Sequence, residues 1–171
     1  VKKISLSPQV KIGILILLIT IFGLALGLLA RPSSQDFVDA WSVAPWTLIK
    51  KAMHENYAAV NGQIIRPKAL NFTAEQDLYV FDFNTPNLCG IRGCLYAVYT
   101  GERQRVLSLY LRVNLPKSVK LFSTEGKQNG YPCLAITQFQ LKTKRLVQTR
   151  YCYQGGVMIP VFQQLVENNK S

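Results

Sequence analysis

The sequence predicts an α+β protein: an N-terminal transmembrane helix, then an amphipathic helix packed on a mostly antiparallel sheet of five or six strands. Three observations carry this. Ile12 to Ala30 is a run of 19 consecutive residues without a charge. One later stretch repeats its apolar residues at three- and four-residue spacing. From Gly62 onward, short runs rich in Leu, β-branched and aromatic residues alternate with Gly, Pro, Asn and polar turns. A chain of 171 residues has room for one core and an appendage.

The apolar run comes first. As a helix it would be about 28 Å long, close to the thickness of a bilayer's hydrocarbon core. Lys2, Lys3 and Lys11 precede it and Arg31 alone follows at once, which places the N-terminus in the cytoplasm and the rest across the membrane. The run exceeds the roughly 7–15 apolar residues of a cleaved signal peptide, and Leu28 spoils a cleavage site after Ala30. An Ala25-x-Gly27 site is the alternative, but the reading adopted is an uncleaved signal anchor. The expected organisation is therefore a cytoplasmic N-terminus (1–11), an anchor (12–30), a polar linker "RPSSQD" (31–36) and an extracytoplasmic α+β domain (37–171).

Four cysteines, all beyond the anchor, fit an oxidising compartment such as a periplasm. The whole chain carries a net charge of +11; without the three leading lysines it keeps 17 basic against 9 acidic residues, or +8. Such a domain is drawn to anionic headgroups, wall polymers or other polyanions, nucleic acid being the lesser alternative. The candidate contacts are Arg92, Arg150 and the cluster Lys142, Lys144 and Arg145.

Within the exported part, Pro45 suits the first turn of a helix. Trp46, Ile49, Ala52, Met53, Tyr57 and Val60 then form one apolar face, with Asn61-Gly62 as the stop. Trp41 and Trp46 follow the anchor closely enough for a headgroup-level belt, yet the stripe matches the period of a core helix and is expected to pack on the sheet. The strands expected are "QIIRP", "DLYVFDF", "CLYAVYT", "RVLSLYLRVNL", "PCLAITQFQ" and "RLVQTRYCYQ". In the fourth, Leu107, Leu109, Leu111 and Val113 share a face. Connections as short as "TGERQ" and "EGKQNGYP" favour antiparallel neighbours. The tail "PVFQQLVENN" spaces Val161, Phe162, Leu165 and Val166 as a short closing helix.

The cysteines allow three pairings. If "AITQFQLKTKRLVQTR" is a hairpin centred between Lys142 and Thr143, Cys133 stands directly opposite Cys152. Leu134 then faces Tyr151, Ile136 faces Thr149 and Phe139 faces Leu146. Opposed non-hydrogen-bonded residues lie about 4.5 Å apart, within the span a disulfide accepts. This register predicts a Cys133–Cys152 bridge and leaves Cys89 with Cys94 in "CGIRGC" to close a loop. A thioredoxin-like site would need two intervening residues and a βαβ context, and zinc would need further ligands; neither condition is met.

Asp82, Asn84, Cys89, Gly90, Gly93 and Cys94 form a strand end and a Cys-Gly-x-x-Gly-Cys loop. This passage of about twenty residues resembles a feature of small secreted and lipoprotein domains of bacteria, especially single-pass envelope proteins of uncharacterised function. Pro86 and Asn87 depart from the acidic, calcium-like run that some such proteins carry there, and the resemblance implies no activity.

Catalytic motifs are absent. "HENYA" opens like the H-E-x-x-H zinc site, but Ala58 replaces the second histidine and His54 is the only one in the chain. There is no Gly-x-Ser-x-Gly elbow, no phosphate-binding glycine loop and no EF-hand, Asn87 and Gly93 standing at its sixth and twelfth positions. Glu75, Asp77 and Asp82 read as strand-end and turn residues rather than a catalytic pair, and "NFT" at Asn71 is a weak glycosylation match. No enzyme, cofactor or metal site is expected. The function expected is a membrane-anchored interaction or scaffold module binding a protein partner or an anionic envelope surface. The alternative is an accessory subunit of a membrane complex, its helix packing through Gly23-x-x-x-Gly27.

Overall fold

The chain divides into two units, Val1–Ser34 and Gln35–Ser171. The computed structural model describes residues 36–57, 66–83, 85–112, 114–116, 118–140 and 145–166, all in the second. The expected anchor, most of the linker, Asn84, Val113, Lys142 and Lys144 lie outside the described residues, and no helix among the described residues is long and apolar enough to cross a membrane. In chain order come β1 (Val38–Asp39), α1 (Ala40–Val43), α2 (Trp46–Tyr57), β2 (Lys68–Thr73), β3 (Asp77–Asp82) and a 3₁₀ turn at Pro86–Leu88. Then follow β4 (Cys89–Gly90), β5 (Gly93–Thr100), β6 (Arg105–Leu111), β7 (Phe122–Gln128), β8 (Tyr131–Gln140), β9 (Arg145–Gln154) and β10 (Val157–Val166).

The α+β class holds, but the strands divide into two sheets rather than one. The first runs β1-β2-β3-β5, with β4 and β6 both pairing β5; the second runs β10-β9-β8-β7. Every pairing is antiparallel. Helix α2 covers one face of the first sheet, burying Leu48, Ile49 and Ala52 among Tyr79, Phe81, Phe83, Leu95, Ala97 and Tyr99. The second sheet covers the other face, where Leu70, Leu78, Val80, Tyr96 and Val98 meet Phe122, Tyr131, Leu134, Ile136 and Met158. Strands β3 and β5 are thus buried on both faces, which is why their sequences are continuously apolar instead of alternating.

Four expectations need correction. The buried stripe of α2 is rotated: Trp46 is exposed and packs at a tilt against Trp41, and Leu48 takes its place inside. Of "QIIRP", residues 63–65 lie outside the described residues and Arg66 and Pro67 precede a strand at Lys68–Thr73, where Leu70 points to the second sheet and Ala69 to the helix. "EGKQ" belongs to β7, and the turn is confined to Asn129-Gly130, both at positive φ (52° and 83°). The tail from Val157 to Val166 is no helix but the ten-residue β10. Gly155-Gly156, with φ of 60° and 90°, makes a two-residue hairpin turn whose twist matches the strands, so the tail enters the ladder beside β9. Once the turn sets the direction, pairing outweighs the helical spacing of its apolar residues, and a bulge at Pro160/Phe162 absorbs the proline's missing N–H.

The β8–β9 register is the expected one: Leu134 faces Tyr151, Ile136 faces Thr149 and Phe139 faces Leu146. Cys133 and Cys152 are bridged with Cα atoms 4.4 Å apart, and Cys89 with Cys94 at 3.9 Å. The cysteine face of this hairpin is largely dry: Cys133, Ala135, Thr137, Leu146 and Cys152 are all buried.

One polar cluster ties helix to sheet. The Tyr99 hydroxyl donates to Glu55 Oε2 (2.8 Å) and accepts from Asn56 Nδ2 (2.9 Å), and Lys51 Nζ lies 2.8 Å from Glu55 Oε1. Burial acts to raise the Glu55 pKa, but the hydrogen bonds of Lys51 and Tyr99 and the charges of Lys51 and Arg105 outweigh it and hold the carboxyl below its ordinary value. A carboxyl lowered on folding contributes stability that is complete above its unfolded pKa and is lost as pH falls through the folded one. Urea midpoints should therefore drop on acidification below the ordinary glutamate range, and Glu55→Gln should remove this part of the drop. An unaltered acid profile in that variant would show that the cluster is not coupled to folding.

Candidate functional site

The two sheets meet differently at their two ends. At the end holding the β5–β6, β7–β8 and β9–β10 turns, hydrogen bonds cross between them. Gln76 N donates to Gly130 O (2.9 Å), Gln104 Nε2 donates to Gly156 O (2.8 Å), and Tyr131 hydrogen-bonds Thr100. Lys127 pairs with Glu75 across the same gap. The opposite end is open. There a cleft of about 270 Å³ separates Leu109, Tyr110 and Leu111 of β6 from Ile136, Phe139 and Tyr151 of the second sheet.

A finger projects beside this cleft. Cys89 opposes Cys94 and Gly90 opposes Gly93, so Ile91 and Arg92 form a two-residue tip. Ile91 is 91% exposed. Three constraints hold this tip: the Cys89–Cys94 bridge, a hydrogen bond from Arg112 Nη2 to Ile91 O (2.6 Å), and Gly93 packed onto the Leu111 carbonyl. Leu111 lines both the cleft and the hollow behind the finger, and neither has an acidic residue in its lining.

Strand direction assigns the charges to ends. Toward the open end stand Arg66, Lys68, Arg92, Arg112, Lys120 and Arg145. Among the described residues Asp36, Asp39 and Asp82 are the carboxylates there, and Asp82 hydrogen-bonds Tyr96. Toward the closed end Glu75, Asp77 and Glu102 balance Arg103, Arg105 and Lys127. The open end is thus the cationic one.

Of the residues singled out in the sequence, Arg92 and Arg145 come to this end, both exposed and without a carboxylate partner among the described residues. Arg150 does not join them. Its guanidinium grips Glu125 Oε2 through Nε (3.2 Å) and Nη2 (3.1 Å) and lies 5.3 Å from the Phe162 ring, so it closes a fork within the second sheet. Lys142 and Lys144 fall outside the described residues. All four cysteines serve bridges, and no group of three metal-ligating side chains occurs among the described residues.

Residue-by-residue reading missed Arg112, which supports the finger, and set aside an exposed placement of Trp41 and Trp46 in favour of packing on the sheet, whereas both are exposed. Their rings lie 4.5 Å apart, with Lys50 Nζ 4.6 Å from the Trp46 centroid. Only the Pro45 break between the two tryptophans hinted that Trp46 begins a helix and leans back on the preceding turn. No family model, curated protein or solved structure matches this chain.

Proposed function

We propose that this protein is a membrane-tethered interaction module held outside the cytoplasm, whose open end engages an anionic surface. One observation carries the reading: the end where the finger, the β6 terminus and the β8–β9 hairpin converge is open, cationic and stiffened by a disulfide, while the other end is closed and charge-balanced. Rigid display of cations that have no carboxylate partner among the described residues suits recognition of negative charge, because little side-chain or loop order is lost on binding. Two disulfides suit an oxidising compartment, and the 19-residue apolar run before the domain supplies the tether.

The test is retention of the detergent-solubilised full chain on heparin. Arg92→Glu with Arg145→Glu should elute at clearly lower salt than the parent. Each cation near an anionic surface contributes about 1 kcal/mol, so removing both is worth roughly thirtyfold in affinity and reversing them more. Arg150→Gln should have a smaller effect on retention, because that charge is already matched by Glu125. Equal elution of parent and double variant would sink the electrostatic reading.

A further inference from the structure

We infer that the open end enters the headgroup interface of an anionic phospholipid bilayer, with Trp41, Trp46 and Ile91 as the inserting side chains. This rests on the tethered reading above and names the surface: lipid, not wall polymer or protein.

The tryptophan pair lies toward the same end as the finger. Asp39 pairs with Lys68 and Ala40 N donates to Pro67 O (3.0 Å), which fixes α1 beside the start of β2. From Trp46, α2 runs away from that end, since Glu55 and Asn56 reach Tyr99 and Arg105 near the β5–β6 turn.

Two separate pieces of chain therefore place an exposed apolar group beside a cation at one end. In the first, Trp41 and Trp46 are 42% and 53% exposed with Lys50 over the ring. In the second, Ile91 sits beside Arg92 on the braced tip. Tryptophan is the side chain that favours the bilayer interface, its ring among acyl carbons and its N–H among headgroups. Lysine and arginine keep their charge at the phosphates while their stems lie along apolar surface.

A polyanionic wall polymer would leave Ile91 unexplained, because an aliphatic side chain offers nothing to a hydrated polyanion. The position of the chain's entry agrees with lipid. Asp36 and Phe37 sit with Asp82, Tyr96 and Phe122 toward this end, shortly after the apolar run closes at Ala30. The eleven residues from Ala30 to Trp41 span at most about 40 Å, so the pair stays within reach of the membrane that holds the run.

Trp41 and Trp46 are the only tryptophans in the chain, so intrinsic fluorescence reports on this patch alone. The full chain would be reconstituted into vesicles of phosphatidylcholine and phosphatidylglycerol, with and without bromine on acyl carbons near the headgroup. The inference expects blue-shifted emission that the brominated lipid largely removes, in Trp41→Phe and Trp46→Phe alike. Ile91→Glu, at a fully solvated tip, should reduce both effects, and unchanged quenching there would remove the finger from the inference. Chain that floats with the vesicles but keeps water-like, unquenched emission would overturn the inference and leave the tether standing. Chain that fails to float would overturn the tether and the inference with it.

Discussion

Replacing Cys133 and Cys152 together by serine is expected to lower the unfolding free energy by about 3 kcal/mol. The bridged residues are 19 positions apart, and loop-closure entropy for a ring of that size amounts to roughly 3 kcal/mol, the constraint acting on the unfolded chain. The site adds to the loss, because both sulfurs are buried between the two central strands of the second sheet and serine hydroxyls there would need partners. Cys89 and Cys94 are only 5 positions apart, and the same relation gives about 2 kcal/mol for their removal. Their bridge lies at the surface, so its loss should loosen the finger first and lower heparin retention at unchanged fold. Urea unfolding of the two double variants separates the cases. A larger stability loss for the Cys89/Cys94 pair would show that the loop-entropy argument has the order wrong.

The β8–β9 hairpin that carries the first of these bridges was legible in the residues. Side chains alternate with period two, and a single turn centre aligns every pair at once, cysteines included. The helix was legible in place but not in rotation. Trp46 and Leu48 are both apolar at plausible spacing, and the choice between them is made by Trp41, a contact from outside the helix. The second sheet was the larger omission. Phe122–Gln128 is mostly polar because β7 is an edge strand whose outer face meets water, so it carries little apolar signal. In β10 the spacing of Val161, Phe162, Leu165 and Val166 mimics a helix, and the competing signal was the Gly155-Gly156 turn just upstream. The open end was not legible at all. It depends on which strand ends come together, and Arg92 and Arg145, 53 positions apart, come to the same end only through the β4–β5, β5–β6 and β8–β9 pairings.

Gly93→Ala is expected to lower stability by about 3 kcal/mol, although it adds one methyl group to a surface finger. The residue has φ of +112°, where an L side chain is strained by about 1–2 kcal/mol. A Cβ there would lie 2.3 Å from the Leu111 carbonyl oxygen, which is backbone and has no rotamer to retreat into. Relief requires β5 and β6 to part at the Cys94–Leu111 pair, and overpacking of this kind typically costs about 1–3 kcal/mol more. The shift would also move Arg112 off the Ile91 carbonyl and release the tip, so anion retention should fall along with stability. Gly90 is the internal control: it stands directly opposite Gly93, a methyl group added to it would meet nothing within 4 Å, and Gly90→Ala should be nearly neutral in both measurements. If the two alanine variants unfold at the same urea concentration, the close approach of Gly93 to Leu111 is not what holds the finger. The rigidity assigned to the tip would then rest on the Cys89–Cys94 bridge and the Arg112 hydrogen bond, and reduction of that bridge should lower anion retention.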